Sequence, residues 1–196
     1  MSTSEFVSYY GSPPILLPVS VRKFWRGFYL PIDALPDEYD PETIDPDLVL
    51  PEGAYVIWDE FDFDNPKTDY DRACSNRSDR STVHTVPVGP GLGLVFSTEL
   101  KRHYWWQEKI MLLDGGGLPD IDKLATLNWT DELRWSSDET DFILMNSCDH
   151  GASPAEKSTF DVFLPRSEYI IQRAETVSSD GDQEYCLIIH RFLVAH

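Results

Sequence analysis

Two pairs of aspartates and two cysteine–histidine pairs are the residues whose types and spacing could do chemistry. Asp62 with Asp64, and Asp69 with Asp71, each place two carboxylates around a single intervening residue, and hard cations take oxygen ligands. The glycine and closing glutamate of a calcium-binding EF-hand loop are absent, so an acidic, solvated face is expected and no metal site is predicted. Cys148 and His150 are near neighbours in SCDHG, and Cys186 and His190 would share one face of a regular strand. A thiol nucleophile needs such a base beside it. Neither spacing is a recognised catalytic or zinc signature, so buried thiols and ordinary histidines are expected. His84, His103 and His196 are isolated in sequence and support nothing specific. No catalytic residue and no cofactor is predicted.

The glycine clusters read as turns. GPGLG at 89–93 lacks the third glycine of a dinucleotide fingerprint and the lysine and hydroxyl of a phosphate loop, and DGGG at 114–117 supplies only positive-φ freedom. Six tryptophans, among them Trp105 and Trp106 in KRHYWWQEK, could build a carbohydrate platform. Large aromatics are also routine sheet-core material, which is the expected role here.

The elements that would carry these residues are short apolar runs bounded by Gly, Pro, Asp and Ser: SPPILLPVSV, KFWRGFYL, VHTVPV, LGLVFS, EKIMLLDGGG, DFILMNS, STFDVFLP, SEYIIQRAETVS and QEYCLIIHRFLVA. Such runs suit antiparallel strands. The last two flank SDGD at 179–182 and predict a terminal hairpin. Only PDIDKLATL, Pro119 to Leu127, has a helical pattern, with Ile121, Leu124 and Ala125 on one face. The expected fold class is α+β, predominantly antiparallel β-sheet with one or two short helices, in a single compact domain over residues 1–196.

Charge sets the partner class. The chain carries 34 acidic and 16 basic residues for a net −18, which disfavours direct nucleic-acid binding because phosphate contacts need clustered Lys and Arg. Between Asp33 and Asp71 there are 14 acidic residues against Lys67 alone. Within that stretch, the proline-rich 33–53 predicts a surface insert of turns and short extended pieces. AYVIWDEFDFD then predicts a strand with Phe61 and Phe63 alternating against carboxylates. A basic protein partner is the expected counterpart. No signal peptide or membrane-length apolar run is visible, and three widely spaced cysteines argue against a disulfide framework, so a cytoplasmic setting is expected.

An early PPILLP followed by Trp25-Arg26-Gly27, then DYDRAC (Asp69, Tyr70, Asp71, Arg72, Ala73, Cys74), then VPVG at 86–89 leading into LVF, resembles the Immunity protein 21 family of bacterial polymorphic toxin systems. FDVFLPRSEYII and CLIIHRF are similar to that family's closing strands. Two departures lie in loops: the insert after WRG is long for the family, and LPRSEY stands where a turn such as LPAGRY is expected. The resemblance implies a cytoplasmic protein that binds and neutralises a cognate toxin domain without catalysing a reaction. Asp59, Glu60, Asp62 and Asp64 are the expected charged contacts, with Trp58, Tyr55 or Tyr39 as anchors. The family motif residues are expected to be structural, an aspartate capping a turn, Arg72 pairing with a carboxylate, and Tyr70 and Cys74 packing. The alternative from another class is an anionic β-sheet module that binds a small molecule or carbohydrate through tryptophans.

Overall fold

The computed structural model describes residues 6–7, 13–31, 54–56, 66–75, 82–96, 103–107, 109–113, 126–152, 159–165, 167–180 and 183–195. At 6–7, 30–31, 54–56, 103–107, 109–113, 167, 177–180 and 183–187 it describes the backbone alone. In chain order the elements are β1 (Phe6–Val7), β2 (Pro14–Pro18), a 3-10 turn (Arg22–Phe24), β3 (Tyr29–Pro31), β4 (Ala54–Val56), α1 (Asp69–Ser75), β5 (Val83–Val88), β6 (Gly91–Phe96), β7 (His103–Gln107), β8 (Lys109–Leu113), β9 (Thr130–Ser137), β10 (Asp141–Asn146), β11 (Thr159–Phe163), β12 (Ser167–Asp180) and β13 (Gln183–Val194).

Strands pair into a six-stranded sheet, β1-β8-β7-β13-β12-β9, a five-stranded sheet, β11-β10-β2-β6-β5, and a small β3-β4 pair. Among the described strands only the β1–β8 and β7–β13 pairings are parallel. The fold is thus α+β and predominantly antiparallel. No helix among the described residues is long and apolar enough to cross a membrane.

The period-two alternation of side chains explains how the five-stranded sheet serves two cores. From its central strands Leu16, Leu94, Phe96, Phe142 and Leu144 face the six-stranded sheet and pack with Trp135, Tyr169, Ile171 and Phe192. The intervening residues Ile15, Leu17, Val95, Ile143 and Met145 face the other way, and Val21, Trp25 and Ala73 cover them. PILLP is buried throughout for this reason, its two prolines confined to the strand ends. The molecule is therefore layered as sheet, sheet, and an outer cover built from the 3-10 turn and α1.

The terminal hairpin forms as expected, with β12 and β13 in register from Tyr169 opposite Val194 to Asp180 opposite Gln183. Gly89 and Pro90 join β5 to β6, with Val88 opposite Gly91 and Gly89 at φ 54°, the positive angle that such short hairpin loops require.

Two expectations need correction. KFWRGFYL is not one strand. Its Lys23 and Phe24 belong to the 3-10 turn, and only Tyr29 and Leu30 belong to β3, because Trp25 turns inward and donates from Nε1 to the Ser147 carbonyl at 2.9 Å. The described helix lies at DYDRACS, where only a turn was expected, because local capping outweighs the weak apolar periodicity of a seven-residue segment. The helix predicted over Pro119–Leu127 falls outside the described residues except for Thr126 and Leu127, which form a turn and a bend. The insert at 33–53 lies wholly outside them, and the single domain expected over 1–196 lies outside them in part.

Candidate functional site

WRG and DYDRAC, separated by 43 positions between Arg26 and Asp69, meet in one hydrogen-bonded brace. Its core is the start of α1. Thr68 Oγ1 accepts from the Asp71 backbone N–H at 3.0 Å, and Asp71 Oδ2 accepts from the Thr68 N–H at 2.9 Å and the Lys67 N–H at 3.1 Å. This is a reciprocal capping box with aspartate in the position usually held by glutamate. A helix of two turns is marginal by itself, so these bonds and the burial of Ala73 and Cys74 hold it in place.

Asp69, one residue into the helix, reaches across instead of along the chain. Its Oδ2 accepts from the Arg26 backbone N–H at 2.6 Å, its other oxygen pairs with the Arg72 guanidinium, and the Tyr70 N–H donates to the Gly27 carbonyl at 3.1 Å. The Tyr70 ring packs on Phe28 with centroids 4.1 Å apart. Gly27, at φ 61°, passes so close to the next loop that a Cβ would overlap the Cys148 carbonyl oxygen. Phe28 N–H donates to that same carbonyl, and Gly151 N–H donates to the Trp25 carbonyl at 2.8 Å. The motif residues Trp25, Arg26, Gly27, Asp69, Tyr70, Asp71, Arg72, Ala73 and Cys74 thus act together as a structural clamp.

Asp71→Ala leaves two helix-start N–H groups without their acceptor, and Asp71 is almost fully buried. The expected loss is about 1–2 kcal/mol of stability, read as a lower midpoint in urea unfolding with an unchanged slope. An unchanged midpoint would show that the box contributes nothing.

The clamp closes the base of the acidic segment. The chain leaves at Gly27, pairs Tyr29–Pro31 with Ala54–Val56, and returns at Lys67 to meet Gly27 again through Tyr70. Of the predicted partner contacts, Tyr55 sits in β4 opposite Leu30. Tyr39, Trp58, Asp59, Glu60, Asp62 and Asp64 lie outside the described residues. The structure therefore fixes the feet of this excursion.

The cysteine–histidine pairs find other partners. Cys148 Sγ contacts Asp149 Oδ1 at 3.7 Å, whereas His150 Nδ1 accepts from the Ala152 N–H at 3.2 Å and its ring meets Tyr29 edge-on. Burial, with the charges of Asp149 and Cys148, pushes the Tyr29 hydroxyl up. Cys74 is a buried thiol in no disulfide, and the Cys186 side chain lies outside the described set. Burial lowers His84 below its ordinary value, opposed by the bond its ring donates to the Ala73 backbone.

His190 belongs to a buried network that the sequence did not reveal. Ile171 pairs with Leu133 and Gln172 with Asp131, so Glu132 is the extra residue of a β-bulge, and its side chain is aimed between the sheets. There Glu132 Oε2 accepts from the Thr82 hydroxyl at 2.8 Å and the Thr82 N–H at 3.1 Å, and Oε1 pairs with Arg173 at 3.3 Å. Because the one Thr82 hydroxyl proton points to the carboxylate, the His190 Nε2 at 2.8 Å must be the protonated nitrogen, donating to Thr82 Oγ1. Burial pushes the Glu132 carboxyl up, but hydrogen bonds from His190 and Thr82 outweigh it and hold the group below its ordinary value. Burial also lowers His190, only partly countered by Glu132. Both shifts favour an anionic glutamate beside a neutral imidazole. The network ties the edge strand of one sheet to three strands of the other.

Trp25 and Trp135 are core residues, and Trp129 lies against the Arg191 guanidinium at 4.0 Å. The Trp105 and Trp106 side chains and the whole of Trp58 lie outside the described set. No group of His, Cys, Asp and Glu among the described residues is arranged to hold a metal ion. In comparison with known proteins, no family model, no curated protein and no solved structure matches this chain.

Proposed function

We propose that this chain is a cytoplasmic immunity protein that binds and neutralises a cognate toxin domain without catalysing a reaction. The observation that carries this reading is the clamp. The two sequence motifs behind the resemblance to Immunity protein 21 converge on one brace, and that brace pins both ends of the segment that holds most of the net charge. A polyanionic excursion with anchored feet suits recognition of a basic protein surface. Charge complementarity accelerates encounter, and buried aromatic anchors such as Tyr55, Trp58 or Tyr39 slow dissociation.

The test uses the toxin domain encoded beside this chain's gene. Reversing Asp59, Glu60, Asp62 and Asp64 to lysine is expected to weaken binding at least about a hundredfold at low salt, with a flatter salt dependence. Undiminished affinity in a natively folded variant would move the interface elsewhere.

A further inference from the structure

His84 joins the sheet to the helix of the clamp. In β5 Val86 and Val88 face the core that Ala73 covers, and the period-two alternation puts His84 on the same face. α1 ends at Ser75, so the carbonyls of its last turn have no partner within the helix. The Ala73 carbonyl is one of them, and the His84 ring donates to it, a common way of satisfying such a group. Nε2 is enclosed with no hydrogen-bond partner, so Nδ1 is the nitrogen that donates. A helix of two turns depends on such ties. Asp69 binds the start of α1 to Arg26, and His84 binds its end to β5.

The neutral ring suits this position and the charged ring does not. A proton on Nε2 would create an enclosed N–H with no acceptor. The charged and titratable groups on the flanking elements do not offset that cost. Val95 stands opposite His84 on β6, and on α1 Arg72 pairs with Asp69, Asp71 serves the Thr68 and Lys67 N–H groups, and Cys74 is a thiol. Burial accordingly holds the imidazole below its ordinary value, opposed by the Ala73 bond.

We propose that His84 is an acid-sensitive latch on the helix that closes the clamp. When Nε2 takes up a proton the ring leaves for solvent, the bond to the Ala73 carbonyl breaks, and the end of α1 lifts from β5. Cys74 and the core beneath Ala73 then open to solvent while the two sheets stay intact. The released ring has its ordinary proton affinity, near pH 6.5, and the latched ring a lower one. The closed state is therefore complete above about pH 6.5 and yields as the pH falls. None of this depends on which partner the chain binds.

Cys74 reports the opening, being 2% exposed and in no disulfide. Its labelling by a dipyridyl disulfide, which reacts with thiols in acid as well as at neutral pH, is located by mass spectrometry and divided by the rate for the urea-unfolded chain at the same pH. In the wild type that ratio should rise about five- to tenfold between pH 7.5 and 5.5. It should depend little on added urea, because a local opening exposes little surface. His84→Asn places an amide where Nδ1 stood, which keeps a donor for Ala73 without a titrating group, and the rise should vanish. A ratio that does not change with pH, or that rises in His84→Asn as it does in the wild type, overturns the latch. So does a steep urea dependence of the wild-type ratio at pH 5.5, which marks global unfolding and needs no variant to fold.

Discussion

Gly27→Ala is expected to destabilise the native fold severely. Gly27 holds φ 61°, and a left-handed backbone costs an alanine only about 1–2 kcal/mol. Steric overlap costs more. The new Cβ would overlap the Cys148 carbonyl oxygen and lie 2.6 Å from that of Asp149, both backbone atoms that no side-chain rotation can move. Relief requires the 148–151 loop to leave, which breaks the bonds from Phe28 N–H to Cys148 and from Gly151 N–H to Trp25. The Trp25 indole would lose its Ser147 acceptor in the same movement. The total exceeds about 4 kcal/mol, a large share of the roughly 5–15 kcal/mol that holds a domain of ordinary stability. Gly91→Ala is the control, because its Cβ would meet only the Val21 side chain, at 3.1 Å. Urea unfolding of the two variants should therefore differ sharply. A Gly27→Ala protein that unfolds at the wild-type midpoint would contradict the clamp.

Glu132→Ala should be the second most damaging change, at about 3 kcal/mol, because it strands several buried donors and removes one of the carboxylates of a partly buried arginine. Arg173 keeps only the exposed Glu175, while Thr82 loses the acceptor of both its N–H and its hydroxyl. The same network makes stability depend on pH. His190 and His84 both titrate below their ordinary value in the folded protein. As pH falls below about 6.5, the unfolded chain binds protons that the folded chain refuses, so stability is full above that pH and is lost on acidification. The slope is about 1.4 kcal/mol per pH unit for each histidine that stays neutral. Glu132, depressed as well, adds a further loss of the same sign once the pH passes below the ordinary carboxylate value. Urea midpoints should stay level from pH 7.5 to about 6.5 and then fall toward pH 5, and His190→Gln should flatten that slope. A profile that rises on acidification would mean that His190 is charged in the native state.

Local patterns were legible where one principle dominated. β2, β5, β6, β10, β12 and β13 follow from short apolar runs, and the terminal hairpin from its glycine-containing loop. The helix at DYDRAC was not found from apolar spacing, yet its signal was present: a threonine three positions before an aspartate is a capping box in shorter form. Its consequence, the bridge from Asp69 to Arg26, depends on a long-range approach that spacing does not encode. The Glu132 network was hidden for a different reason. A bulge turns one residue of β9 against the alternation of its neighbours, and TDELRW carries no mark of where the extra residue falls. The cysteine–histidine pairs show the converse, since adjacency in sequence sends Cys148 toward Asp149 and His150 toward the Ala152 backbone.

The proposed capture of a basic toxin domain by the anionic segment is tested most directly by one affinity. It is the affinity between this chain and the toxin domain that the proposed function expects beside its gene, taken across a salt series with the wild type and the Asp59, Glu60, Asp62, Asp64 lysine variant in parallel. A tight wild-type complex that weakens steeply with salt is expected, together with a variant that binds at least about a hundredfold more weakly with little salt dependence. Equal affinities and equal salt slopes for the two proteins would contradict that capture.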